Sequence, residues 1–400
     1  MRGRRLSINP RSTKRSIGWM GIQRGHRARP VEWLAEKLVF LVALSAILVI
    51  FLIFVFVARE AWPVLLGRVN SAPVKEVIPV EQMDQLSPEA LQAYLGLTAR
   101  QGREMDRETL RLLMQVKLEE QKEIPESFRQ DQDARVNATQ WRYLLRPHQW
   151  TGYDRPEYIW QPVGQIPKYN VVPLVVGSLK TTLVGLLFAV PLSVGAALYV
   201  SQLARPRVRE WVKPAIELLA GIPSVVVGVF ALLVLASFLQ GVFGYQTRLN
   251  AFVAGIALSV AVIPIVFSIA EDALTSVPSS YVQAALALGA SRWQTASQIV
   301  LPAALPGVFA AIVLGFGRAL GETMIVLMVC SASVMSWSVF DSARSITTTI
   351  AAEMGEVVAG DAHYRVLFLL GTLLFAATFV ANLAGEWVIH RFKQRLEGKR

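Results

Sequence analysis

An all-α, polytopic membrane protein is the fold class this sequence predicts, and three observations carry it. Hydrophobic residues make up 53% of the 400 and charged residues only 17%, where a soluble domain is about a quarter charged. Six stretches reach the roughly 20 apolar residues needed to cross about 30 Å of hydrocarbon: 38–58, 173–203, 215–239, 250–270, 303–331 and 366–389. The 40 Lys and Arg against 29 Asp and Glu, a net charge of +11, gather in the flanks of those stretches. So much apolar side chain excludes disorder for most of the chain. Cys330 is the only cysteine, which excludes a disulfide scaffold.

The N-terminal tail, 1–37, carries ten basic residues and two acids, and reads as a cytoplasmic tail lying near anionic lipid. The first span, 38–58, holds no charge. It is longer than a signal-peptide apolar region, about 7–15 residues, and no small-residue cleavage site follows, so it reads as a retained anchor. Segment 59–172 is nearly neutral, with 15 basic and 16 acidic residues. It reads as a soluble, mainly helical extracytoplasmic insert. Ser87-Pro88 has the pattern of a helix N-cap followed by proline. Leu110, Leu113, Met114 and Leu118 fall at helical spacing, with a break expected near Gly102. Trp141, Tyr143, Trp150, Tyr153, Tyr158, Trp160 and Tyr169 follow. The first reading of these rings is an interfacial belt leading into the second span. A docking surface for an extracytoplasmic partner, or a ligand platform, are the alternatives. Asn137-Ala138-Thr139 matches a glycosylation acceptor by chance frequency.

The remaining five spans, 173–389, form a group apart from the first. The connection 204–214 holds Arg205, Arg207, Arg209 and Lys213. The tail 390–400 holds Arg391, Lys393, Arg395, Lys399 and Arg400. With six spans these segments share a side with the basic N-terminus. The less basic 240–249 and 332–365 take the other side, so both termini are expected in the cytoplasm. The excess positive charge is therefore an orientation signal, and no nucleic-acid partner is called for.

One cytoplasmic segment, 271–302, differs from an ordinary loop. Pro278 starts a short helix, Gly289 permits a sharp reversal, and a second short helix leads to Pro302. Such an elbow presents a compact knob to a partner. It resembles the coupling loop of permease subunits of ATP-binding-cassette importers: Glu-Ala-Ala, three residues, Gly, nine residues, Ile, one residue, Leu-Pro. Ala284, Ala285, Gly289, Ile299, Leu301 and Pro302 match in register, and Gln283 stands where the pattern has Glu. Glu217 to Ser224, Gly315 to Met324, Ser345-Ile346-Thr347 and Leu174 to Leu179 further resemble the phosphate-specific transport permeases, and more the C-type subunit of that heterodimeric pair. The resemblance covers about 173–389 and leaves most of 59–158 as an insertion.

The resemblance implies the type I importer permease fold in a bacterial inner membrane. It implies a second permease subunit, two copies of a cytoplasmic ATP-binding subunit on the elbows, and an extracytoplasmic phosphate-binding protein that delivers inorganic phosphate. No cofactor is implied. The chain has no Gly-x-x-x-x-Gly-Lys-Ser/Thr loop, so ATP hydrolysis is assigned to the partner. Two other readings stay open: a permease for another oxyanion such as molybdate or sulfate, and a membrane scaffold or sensor built on the same fold.

Arg318 and Glu322 stand out independently, both inside an apolar run. A charge at a helix centre costs about 2.5–3.5 kcal/mol on insertion scales, and an i, i+4 spacing lets the two pair. A guanidinium suits a phosphate anion, so Arg318 is a candidate for the translocation route, with Glu322 holding it. The alternative is a structural ion pair. Lys180 either snorkels to the interface or helps admit an anion. Ser345 and Thr347 to Thr349 suggest an N-capped short helix, and Glu217 is expected to pair with Lys213. Gly221, Gly228, Gly315, Gly317 and Gly321 are expected to allow close helix packing. His26, His148, His363 and His390 show no metal spacing.

Overall fold

The computed structural model describes residues 30–74, 105–123, 130–330 and 335–396, with isolated positions between 86 and 128. The tail 1–29, the helix start at Pro88, the break near Gly102 and the terminal Lys399 and Arg400 lie outside the described residues. Contacts divide the chain between Ile53 and Phe54. Of the first unit, residues 30–53 are the leading part of helix α1 (Pro30–Leu65). The second unit holds the end of α1 and every later element. These are α2 (Arg107–Glu123), α3 (Trp141–Leu145), strands β1 (Trp160–Gln161) and β2 (Lys168–Tyr169), α4 (Val172–Leu198), α5 (Pro206–Leu219), α6 (Ser224–Phe230) and α7 (Ala236–Phe243). Then come α8 (Ala251–Thr275), α9 (Ser279–Ala287), α10 (Arg292–Gln294), α11 (Leu301–Leu320), α12 (Met324–Val329), α13 (Ile346–Glu353) and α14 (Ala362–Leu396).

Among the described residues six helical stretches have the length and apolarity of membrane spans: Trp33–Leu65, Val172–Leu203, Ser224–Phe243, Ala251–Thr275, Arg292–Leu320 and Ala362–Arg391. The third and fifth differ from the sequence reading. The run 215–239 is broken at Ala220–Pro223, and its first residues belong to α5, none of which is buried. Pro223 has no N–H and biases Ile222 away from helix, a break that hydropathy does not see. The fifth span starts early, at Arg292, and stops at Leu320 rather than continuing to 331.

A turn of π-helix ends the second span at Tyr199–Leu203, and two more, Ala231–Leu235 and Thr295–Val300, lie within the third and fifth. The last one precedes Pro302, whose ring would crowd the turn before it. Helix α8 lies at the centre, packed on α4 and α11. Asn250 caps it by accepting from the Val253 N–H at 3.0 Å. Between apolar helices in lipid, close packing replaces hydrophobic drive. A Cβ on Gly255 would sit 2.4 Å from Val184, and one on Gly315 would sit 2.5 Å from Val266. Gly228 approaches α12 in the same way, whereas Gly221, Gly317 and Gly321 meet no neighbouring side chain closely.

The insert is tied into this bundle. The predicted stripe of α2 turns inward, with Leu110 and Met114 packed on Leu86, Leu91, Tyr94 and Leu95. Strand β1 pairs antiparallel with β2, Trp160 opposite Tyr169. Trp150, Trp160 and Tyr169 are buried in one core with Leu174 and Val366 to Leu370. This corrects the belt reading for those three rings: the indole of Trp160 donates to the buried Glu353 at 3.2 Å, a partner 193 residues away. Asn137 is a structural pivot. Its side chain accepts from the Ser71 N–H at 3.1 Å and donates to the Val69 carbonyl at 2.8 Å.

Candidate functional site

The elbow is built by local rules. After α8 ends at Thr275, Pro278 precedes the first turn of α9. Gly289 closes α9 at φ +88°, where an L side chain is strained. The Ala290 N–H reaches the Ala285 carbonyl and the Gly289 N–H reaches Leu286, a left-handed helix stop. Ser291 then caps the next helix. Its hydroxyl accepts from the Gln294 N–H at 3.2 Å, and the Gln294 side chain accepts from the Ser291 N–H at 2.8 Å. The expected second short helix is not separate, because α10 continues through its π turn into α11.

The pattern residues take different places in the elbow. Gln283, Ala284 and Gly289 are exposed, Ala285 is buried, and Leu301 and Pro302 are half-buried. The exposed apolar knob is made by residues that the sequence reading did not single out. Leu288 is 89% exposed, Trp293 60% and Tyr281 55%. Three large apolar side chains within a short polar-flanked segment were the available signal.

A second missed residue anchors the elbow. Glu271, in the last turns of α8, is fully buried. It accepts from Arg209 at 2.7 Å, Lys213 at 2.7 Å and Thr275 at 3.1 Å. Arg209 and Lys213 are one turn apart on α5, so both reach the same carboxylate. The expected partner of Lys213 was Glu217; the ion pairs it makes are with Glu271 and, at 3.8 Å, Asp272. The hydrogen bond to Glu271 raises the Lys213 ammonium above its usual range, against a smaller opposing effect of burial.

Arg318 and Glu322 do pair, at 3.0 Å. They do not sit at a helix centre. Arg318 lies in the last turn of α11, and Glu322 lies in the break Gly321–Thr323 before α12. Glu322 helps make that break, since its carboxylate accepts from the Met324 N–H at 3.2 Å. The carboxylate is buried while the Arg318 side chain is 46% exposed. The Glu322 carbonyl accepts from the Thr347 hydroxyl at 3.1 Å.

The expected cap of α13 is present, with Ser345 accepting from the Thr348 N–H at 3.2 Å. The helix also receives the other candidate's neighbourhood, because the Ile346 N–H donates to Ser178 of α4 at 2.9 Å. Two residues along α4, Lys180 is buried and does not snorkel. Its ammonium donates to the carbonyls of Ser336 at 3.0 Å and Ser338 at 2.7 Å. Among the described residues it makes no ion pair. Helix α13 therefore links the Lys180 helix to the Arg318–Glu322 break.

At the far end of α13, Glu353 binds Arg344 at 2.9 Å and His363 at 2.9 Å. Burial raises the nearby Tyr169 hydroxyl far above its usual range. Among the described residues no three His, Cys, Asp or Glu side chains gather as a metal site.

Residues 181–398 match the family of binding-protein-dependent transport system inner membrane components. The chain is 37% identical over 235 residues to the "Probable ABC transporter permease protein YqgH" of Bacillus subtilis, covering 58% of this chain and 76% of that one. It is 33% identical over 256 residues to the phosphate transport system permease protein PstC of Mesorhizobium japonicum, covering 59% and 77%. To PstC 1 of Mycobacterium tuberculosis it is 34% identical over 253 residues, covering 58% and 74%. With six spans, a capped elbow between the fourth and fifth, and a family match over more than half its length, this chain belongs to the binding-protein-dependent transport system inner membrane components.

Proposed function

We propose that the chain is a permease subunit of an ATP-driven importer of inorganic phosphate, supplying the path while a separate subunit hydrolyses ATP. One observation carries the route. Arg318 stands at the end of an apolar span with nearly half its side chain exposed, held by a buried Glu322. The apolar chain continues beyond it in α12, so an exposed guanidinium there is costly against lipid and faces a polar cavity or a partner helix. A planar, permanently charged donor suits a phosphate anion. Glu322 fixes its position and weakens its hold, so that the anion leaves again. Lys180, buried and bonded to two backbone carbonyls, adds a second positive charge on the same linked set of elements.

The elbow docks the ATP-binding subunit. Leu288, Trp293 and Tyr281 form the contact, and Gln283 takes the place of the family's glutamate. Two such subunits serve two elbows, one here and one on a second permease subunit. Both termini lie in the cytoplasm, and an extracytoplasmic phosphate-binding protein delivers substrate to the opposite face. The relatives named for phosphate transport support the substrate. Radiolabelled phosphate uptake in a strain lacking this chain tests the reading, with sulfate and molybdate as competitors. A phosphate defect restored by the chain and unaffected by the competitors is expected; normal phosphate uptake without it would remove the substrate.

A further inference from the structure

The residues just beyond the first span form a pocket that lies outside the family match. Helix α1 stops at Leu65, and Gly67 turns the chain at φ +67°. The Arg68 N–H reaches back to the Pro63 carbonyl at 2.8 Å. Residues 69–71 are then stitched to the insert. Asn137 holds both Ser71 and Val69, and the Thr139 hydroxyl donates to the Val69 carbonyl at 2.7 Å. The Val74 N–H donates to the Ala134 carbonyl at 3.0 Å. Between these walls lies a cavity of about 520 Å³ lined by Arg68, Arg135, Asn70, Gln132, Gln140 and Tyr143, among others.

The lining contains two arginines and no acid. Arg68 follows the Gly67 turn on one wall, and Arg135 ends the 3-10 turn Asp133–Arg135 on the other. Among the described residues neither guanidinium makes an ion pair or a side-chain hydrogen bond. The acids nearest to Arg135 in sequence are engaged elsewhere: Asp131 and Asp133 both accept from Thr151, and Asp133 also meets His148. Both arginines are exposed and bring a positive charge to the cavity's lining, so an anion seated there is attracted by both. A guanidinium fork matches phosphate oxygens in pairs, and the surrounding amides add neutral donors. The cavity has the size of a small-molecule site. Its position completes the argument. It opens two residues past the last residue of a span, at the depth of lipid head groups. Trp62 and Trp141 are exposed there, and the Trp141 indole donates to the Leu65 carbonyl at 3.1 Å. Such rings mark a membrane interface.

We propose that this pocket binds a phosphate group. The same chemistry is offered by the head group of an anionic phospholipid and by free inorganic phosphate, and the test separates the two. The proposal does not rest on the transport reading. The full chain is purified in a maltoside detergent free of phospholipid, in an Arg318→Gln background so that the route does not contribute. In one arm phosphatidylglycerol is added and bound lipid is counted by native mass spectrometry. In the other arm inorganic phosphate is titrated calorimetrically. The chain is expected to bind in at least one arm, and Arg68→Gln/Arg135→Gln to bind roughly tenfold more weakly or worse there. The arm that responds names the source. Each single substitution is measured as well, and unchanged thermal unfolding shows that the fold is intact. No binding by the parent chain in either arm, or equal binding by the double variant, overturns the proposal.

Discussion

The elbow and the insert are held together in opposite ways. The turns at the elbow's tip are fixed by residues close in sequence, Pro278 before α9, Gly289 after it, and Ser291 with Gln294 at the next helix, and only its base is held from a distance, by Glu271. The insert's buried aromatics depend on distant partners. Trp160 reaches Glu353 across 193 residues, and Asn137 reaches Ser71 across 66. Local chemistry can be read from spacing; a seam between distant segments cannot. The elbow is also poised to lose nothing when its tip is changed, because Leu288 touches solvent, whereas the insert's seam is part of the core.

That contrast predicts how each region breaks. The largest effect on assembly is expected from Leu288→Asp. Surface substitutions usually change stability by no more than about 0.5 kcal/mol, yet a central apolar contact carries roughly 2 kcal/mol or more of an interface. Co-purification of the ATP-binding subunit should collapse while the permease stays folded in the membrane; unchanged co-purification would put the docking surface elsewhere. Glu271→Ala comes next. Removing one partner of a buried ion pair costs about 3–5 kcal/mol. The loss here falls at the low end, because Arg209 and Lys213 are partly exposed and regain water. Thermal unfolding in detergent should shift down, and Glu271→Gln should recover part of the loss.

Trp160→Phe tests the seam. It removes one hydrogen bond to Glu353, worth about 1 kcal/mol, and leaves Arg344 and His363 in place. A small drop in stability and faster proteolysis of the insert are expected, with ATPase binding unchanged. A loss of ATPase binding would show that the two regions are not independent. The smallest effect belongs to Asp133. Burial opposes its charge, but bonds from Thr151 and His148 outweigh burial and hold the carboxyl below its ordinary value of 3.8. A lowered folded value means the contribution is complete above the unfolded value and is lost as pH falls through the folded one. The contribution of Asp133 to insert stability should therefore be complete at neutral pH and be lost only below about pH 4, and Asp133→Asn should remove part of that acid limb.

The same contrast explains what the sequence revealed. Span number, the α2 stripe, the α13 cap and the elbow were legible because each depends on apolar length or on signals a few residues apart. The breaks at 220–223 and 321–323 were hidden inside continuous apolar runs, where hydropathy averages over Pro223 and over the capping carboxylate of Glu322. The role of Glu271 was not legible, since its cations lie 58 and 62 residues upstream. Lys180 looked like a snorkelling residue because the carbonyls that bury it come from a loop more than 150 residues later. The pairing of Arg318 with Glu322 was legible from i, i+4 spacing, but their place at a helix end was not.

The central claim is that Arg318 lies on the route of a phosphate ion. Its most direct test is radiolabelled phosphate uptake in cells whose only copy of this chain carries Arg318→Gln, with membrane level and ATP-binding-subunit association shown to equal those of the unaltered chain. Uptake reduced to background with assembly intact is expected. Near-normal uptake by that assembled variant would contradict it and leave Arg318–Glu322 as a structural ion pair.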